Sequence, residues 1–136
     1  MKINPYLSFD GNCEAAFKFY ERCFGTKINA MMPYRGSPMA DQTPPDWLDR
    51  IMHGNMTVGD VILMGSDAPP DGYQKPQGIT VAIGITEPAE AERVFAALAD
   101  GGTVTMALAE TFWALRFGML VDKFGIPWMV NCERPA

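Results

Sequence analysis

Short apolar runs bounded by Gly, Pro and Asp clusters alternate along this chain with two stripes at helical spacing. INPYLSF (3–9) reads as a strand. Asp10-Gly11-Asn12 supplies a turn and an N-cap candidate. Cys13, Ala16, Phe17, Tyr20 and Phe24 then recur at helical spacing, and Gly25 stands where a helix C-terminus favours glycine. A strand is predicted at 26–33. The Pro-, Gly- and Asp-rich stretch 33–49 follows, long enough to be a lid or binding loop that docks through Trp47 and Leu48. Residues 51–67 read as a hairpin turning at Gly59-Asp60.

After a second Pro/Gly stretch (68–78) the pattern starts again. A strand at 78–86 leads to a helix opening at Pro88. Its stripe, Ala91, Val94, Phe95 and Leu98, stands 78 residues beyond Cys13, Ala16, Phe17 and Tyr20. Gly101-Gly102 ends that helix. Strands follow near 103–108, 113–121 and 126–132, the last two joined by DKFG (122–125). The order is β-α-β-β-β twice, with module 1 at about 1–67 and module 2 at about 77–136 of a single domain. A helix on one face of each sheet and nothing on the other predicts an α+β fold with a cupped, U-shaped mixed sheet lining a hollow.

Composition narrows the partners. Hydrophobic residues make up 48% of the 136, enough for a sizeable core. A net charge of -5 with no basic tract argues against nucleic acid. The N-terminus turns polar at Asp10, too soon for a signal peptide, and no apolar run approaches the ~20 residues of a membrane helix. Cys13, Cys23 and Cys132 form no CxxC pair, and their odd count suits free thiols in a reducing, cytoplasmic setting. No GxSxG, Walker or GxGxxG loop and no Cys-His dyad occurs.

NPYLSFDGNCEAAFKFYERCFG, VGDVILMGSD, AEAERVFAALADGG and above all ETFWALRFGMLVDKFGIPWMVN (110–131) are similar to the PhnB-like branch of the vicinal oxygen chelate superfamily. Glyoxalase I, the bleomycin and fosfomycin resistance proteins and extradiol dioxygenases belong to the same superfamily. The resemblance spans essentially the whole chain. It implies a paired βαβββ fold of glyoxalase/bleomycin resistance type, often a homodimer, with a small-molecule cleft. In metal-dependent members it also implies four ligands on defined strands. Anchored on the matching motifs, those positions fall on Pro5, Leu63 (give or take a residue), Thr80 and Met129. Pro, Leu and Met offer nothing to a hard or borderline divalent ion, and Thr offers one neutral oxygen at most. The expectation is therefore a fold without the usual metal centre and with no cofactor.

Strand alternation supplies the remaining site candidates. If DKFG closes a four-residue hairpin, Val121 faces Ile126, Gly118 faces Met129 and Arg116 faces Asn131. Arg116, Gly118, Met129 and Asn131 then share the ligand face, with Phe117, Met119, Val121 and Val130 under the helices. Arg116 could grip a carboxylate or phosphate, or be answered internally by Glu110 or Asp122. His53, the single histidine, pairs with Ser66 across a two-residue turn and lies opposite Leu63, a parity that favours a structural role. Glu110 is the best carboxylate for acid–base chemistry, with Asp67 behind it, and Trp113 is a candidate cleft wall. The ten methionines suit core filling and adaptable ligand contact alike. Three functions stay open at this point: a small-molecule binder, an enzyme with a displaced metal or acid–base site using His53 and Glu110, and a protein that sequesters a toxic or antibiotic compound.

Overall fold

A computed structural model of the chain describes residues 1–69 and 71–135. The chain divides into two compact units, 1–74 and 75–136. Among the described residues no helix is long and apolar enough to cross a membrane.

The first unit contains β1 (Tyr6–Phe9), α1 (Cys13–Phe24), β2 (Ile28–Pro33), β3 (Ile51–Val58) and β4 (Val61–Asp67). Its strands lie in the order β1-β4-β3-β2. β1 runs parallel to β4, whereas β2–β3 and β3–β4 are antiparallel. α1 forms because its apolar residues fall on one face: Cys13, Ala16, Phe17, Phe19, Tyr20 and Cys23 are all buried. Gly25 closes it in the left-handed region (φ 66°), its N–H donating to Glu21 O at 2.9 Å. At the other end Asn12 makes no side-chain cap. The Asp67 carboxylate takes that role from the end of β4, accepting from Cys13 N at 2.9 Å and from Ile51 N at 2.8 Å. A fully buried carboxylate thus ties the helix start to the start of β3.

The 33–50 segment is structured by its own contacts. It contains two short 3₁₀ turns, Ala40–Gln42 and Pro45–Trp47. Tyr34 N and Arg35 N donate to Arg50 O and Leu48 O. The Arg50 guanidinium stacks 4.7 Å from the Trp47 ring centroid and donates to Gly11 O, pinning the segment to the β1–α1 turn.

The second unit repeats the plan with β5 (Val81–Gly84), α2 (Pro88–Ala99), β6 (Thr103–Ala109), β7 (Ala114–Val121) and β8 (Pro127–Glu133), in sheet order β5-β8-β7-β6. β5 and β8 are parallel and the other pairs antiparallel. α2 buries Ala91, Val94, Phe95 and Leu98, the stripe expected from the repeat. Beneath it lie Ala114, Leu120, Trp128, Val130 and Cys132, all buried. The Phe95 ring descends onto β7 at Gly118, where an added Cβ would sit 2.8 Å from the ring.

The β7–β8 turn differs from the expected one. Asp122 N donates to Ile126 O, Gly125 takes φ 89°, and Val121 pairs with Pro127 rather than Ile126. The connection is a three-residue loop (123–125) closed by Asp122 and Ile126, with glycine in the left-handed position, instead of the four-residue loop closed by Val121 and Ile126, and this moves the strand register by one. Asp122 stabilises it from within, its buried carboxylate accepting from Phe124 N, Ile126 N and Trp128 Nε1 at 2.8, 3.1 and 2.8 Å.

Candidate functional site

Each sheet has one face under its helix and one without, and strand parity sorts the side chains between them. In the first unit Leu7, Phe9, Met56, Leu63, Gly65 and Asp67 take the helix side, with Gly65 lying against Phe17. The opposite parity puts Tyr6, Ser8, His53, Asn55, Met64 and Ser66 on the helix-free face. Met32 pairs with His53 at the β2 edge of that face.

The polar centre of this face is His53. Its Nδ1 lies 3.2 Å from Tyr6 Oη and its Nε2 lies 3.3 Å from Asn55 Nδ2. The Tyr6 and His53 rings stand 5.7 Å apart at 36°. Tyr34 donates through its hydroxyl to Asp67 O at 3.1 Å. Partial burial first, then the charges of Asp67 and Tyr6, raises the Tyr34 phenol above its ordinary pKa, so it stays a neutral donor. His53 lies on the face opposite Leu63, as strand alternation predicts. Leu63, however, is the residue on the helix side, 3% exposed and part of the core, so it lines no helix-free face. Its β4 neighbour Met64 does.

In the second unit the one-residue shift in the β7–β8 register reverses the expected grouping. Met129 pairs with Met119 and Asn131 with Phe117, while Arg116 pairs with Cys132 and Gly118 with Val130. The helix-free face therefore carries Phe117, Met119, Val121, Met129 and Asn131, joined on β5 by Ala82 and Gly84. Trp113 packs edge-on against Phe117 at 5.4 Å and extends the same face, 46% exposed. Asn131 Oδ1 is buried with no hydrogen-bond partner among the described residues, while Nδ2 reaches Glu133 Oε1 at 3.4 Å. Thr80 is half-buried just before β5.

Arg116 lies on the helix side. Its Nε donates to Glu92 Oε1 of α2 at 2.9 Å and Nη1 donates to Leu115 O at 2.6 Å. The internal counter-charge is thus Glu92, not Glu110 or Asp122. Glu110 is engaged by Arg134 at 2.8 Å and belongs to the second unit, whereas His53 belongs to the first. Among the described residues no group of three or more His, Cys, Asp or Glu side chains could hold a metal ion.

Strand patterning alone does not single out Tyr6, Asn55, Phe117 and Met119 as residues of the helix-free faces. The signal for Tyr6 was present in YLSF, where Leu7 and Phe9 are the core residues and Tyr6 and Ser8 must point away.

Two four-stranded mixed sheets, each in a βαβββ unit with one helix, make the glyoxalase/bleomycin resistance-like fold. The fold recurs at 11% identity and TM-score 0.70 in a glyoxylase/bleomycin resistance protein/dioxygenase domain from Frankia, over 98% of both chains. Within that class the family model described as 3-demethylubiquinone-9 3-methyltransferase matches residues 1–131, and the chain belongs to this PhnB-like family. It is 38% identical to Protein YjdN of Escherichia coli K12, over 96% of this chain and 95% of that one. Protein PA1353 of Pseudomonas aeruginosa superposes with TM-score 0.90 at 46% identity over 99% of both chains. A Bacillus cereus structure described as a putative 3-demethylubiquinone-9 3-methyltransferase, PhnB protein, shares the fold at 24% identity and TM-score 0.78, over 97% of this chain and 99% of that one.

Proposed function

We propose that the protein binds a small molecule on the helix-free faces of its sheets, without the superfamily's usual metal centre. The observation that carries this reading is the make-up of those faces. In the first unit Met32, Met64 and Tyr6 lie beside His53 and Asn55, and in the second, considered by itself, Met119, Met129, Phe117 and Trp113 lie on the face of Asn131. Adaptable apolar contact with sparse polar anchors is how small-molecule sites combine affinity with orientation. The donor chemistry supports the second half. By the resemblance the ligand positions fall on Pro5, Leu63 (give or take a residue), Thr80 and Met129, and neither the core residue Leu63 nor its face-lining neighbour Met64 offers a donor to a hard or borderline divalent ion.

The methyl-donor cofactor implied by the family's description does not fit the residues present. A nucleotide cofactor is commonly cradled by a glycine-rich strand-to-helix turn with free N–H groups at the helix start. Here the α1 start is occupied by the Asp67 carboxylate, Arg50 fills the space beside Gly11, and the β5–α2 turn is Ile85-Thr86-Glu87. We derive no methyl transfer from this chain.

The Met- and aromatic-rich faces favour binding, including sequestration of an apolar aromatic compound, over an enzyme using His53 with Glu110, because each of those two is held by partners of its own. Elemental analysis of untagged protein tests the metal-free reading. Well under one Ni, Zn, Fe or Mn per chain is expected, and one tightly held ion per chain would overturn it.

A further inference from the structure

Tyr6 stands on β1 and His53 on β3, with β4 between them. Tyr6 therefore reaches across an intervening strand to meet the ring of the chain's single histidine. Asn55, two residues along β3 on the same face, holds the other ring nitrogen. An amide nitrogen can only donate, so Nε2 is the acceptor in the Asn55 contact. The ring hydrogen then sits on Nδ1 and points at Tyr6 Oη. The phenol oxygen accepts it and keeps its own hydrogen. Among the described residues His53 is the sole hydrogen-bond partner of that hydroxyl. Three donors are aligned in one direction, each polarising the next, and the outermost is the Tyr6 O–H.

We propose that Asn55, His53 and Tyr6 form an oriented relay whose outer end, the Tyr6 hydroxyl, donates to a carbonyl, carboxylate or phenolate oxygen of an apolar, aromatic ligand. The proposal rests on the small-molecule reading above and names the anchor on one of its faces. The ligand's apolar body is set by the neighbours: Met64 pairs with both Tyr6 and Asn55, and Met32 pairs with His53 and is 43% exposed. Thioether groups beside an aromatic ring suit an aromatic guest. Tyr6 itself is 50% exposed, so its hydroxyl edge is open to one. His53 and Asn55 are positioning residues here, acting through the Tyr6 oxygen.

Two measurements test this. Long-range ¹H–¹⁵N spectra of uniformly labelled protein should show the histidine as the Nδ1–H tautomer, and an Nε2–H ring would overturn the relay's direction. ¹⁹F titrations with 4-fluorobenzoate and with fluorobenzene, both in excess chelator, then test the anchor. Tyr6→Phe should weaken fluorobenzoate about tenfold, the scale of one lost hydrogen bond to a charged acceptor, and leave fluorobenzene within about twofold. Asn55→Leu should shift the tautomer balance and weaken fluorobenzoate less than Tyr6→Phe does. If both probes bind the native protein and Tyr6→Phe changes neither, the anchor is wrong while the small-molecule reading stands. If the native protein binds neither probe, that reading falls and the anchor with it.

Discussion

Arg116 shows how one residue's meaning depends on a neighbour's register. A lone cation on an apolar strand invites an anionic ligand, yet here its Nε is answered by Glu92 on the helix side. The two side chains are 34% and 54% exposed, so solvent screens the pair and its worth is small. Arg116→Ala should cost at most about 1 kcal/mol in chemical denaturation and leave benzoate affinity unchanged. A loss of anion binding with stability intact would return Arg116 to the ligand site. Cys13 is a residue of the opposite kind. Burial first, then the charges of Asp67 and Glu14, pushes its thiol far above the ordinary value of 9.0. The folded chain therefore holds a proton that the unfolded chain releases above about pH 9, so stability is full below that pH and falls as pH rises. The contribution is roughly 1.4 kcal/mol per unit between pH 9 and 11. Denaturation of Cys13→Ala over that range should give a shallower decline than the native chain, and equal slopes would refute the assignment.

At the scale of elements, the repeat was legible because helix-buried positions recur at a fixed offset. Ala91, Val94, Phe95 and Leu98 are buried in α2 as Cys13, Ala16, Phe17 and Tyr20 are in α1. The candidate faces were less legible. Pairing β7 with β8 hangs on whether the turn keeps Asp122 and Ile126 opposed, and apolar residues occupy both parities of both strands. Phe117, Met119, Met129 and Val130 are equally plausible on either side, so nothing in their hydropathy corrects a shift of one. The decisive information is three-dimensional: Gly118 lies under Phe95, where an added Cβ would meet the ring at 2.8 Å and the Leu108 backbone at 2.9 Å. The same clearance predicts that Gly118→Val, despite its favourable strand propensity, destabilises the protein by roughly 1–3 kcal/mol. Chemical denaturation checks this, and a neutral or stabilising outcome would mean that Phe95 packs elsewhere. The helix cap was illegible for a related reason. Asp67 is 54 residues from Cys13, and a local reading naturally nominates Asn12.

For the whole molecule, each unit keeps a helix on one face of its sheet only. β6, the edge strand of its sheet, is exposed along almost its entire length, with Val104 and Met106 among the exposed apolar side chains. We expect a homodimer, in which large apolar faces of this sort are covered by a symmetric contact. Sedimentation at micromolar concentration should show a species of about twice 15.0 kDa, and a 15.0 kDa species alone would count against it.

The central claim, metal-free binding on the helix-free faces, is tested most directly by the methionine methyl groups. In protein carrying ¹³C-methyl methionine, 4-fluorobenzoate added in the presence of chelator should shift Met32, Met64, Met119 or Met129. Met56, fully buried on the helix side, should stay in place. A spectrum that is unchanged until a divalent metal is supplied would contradict the account.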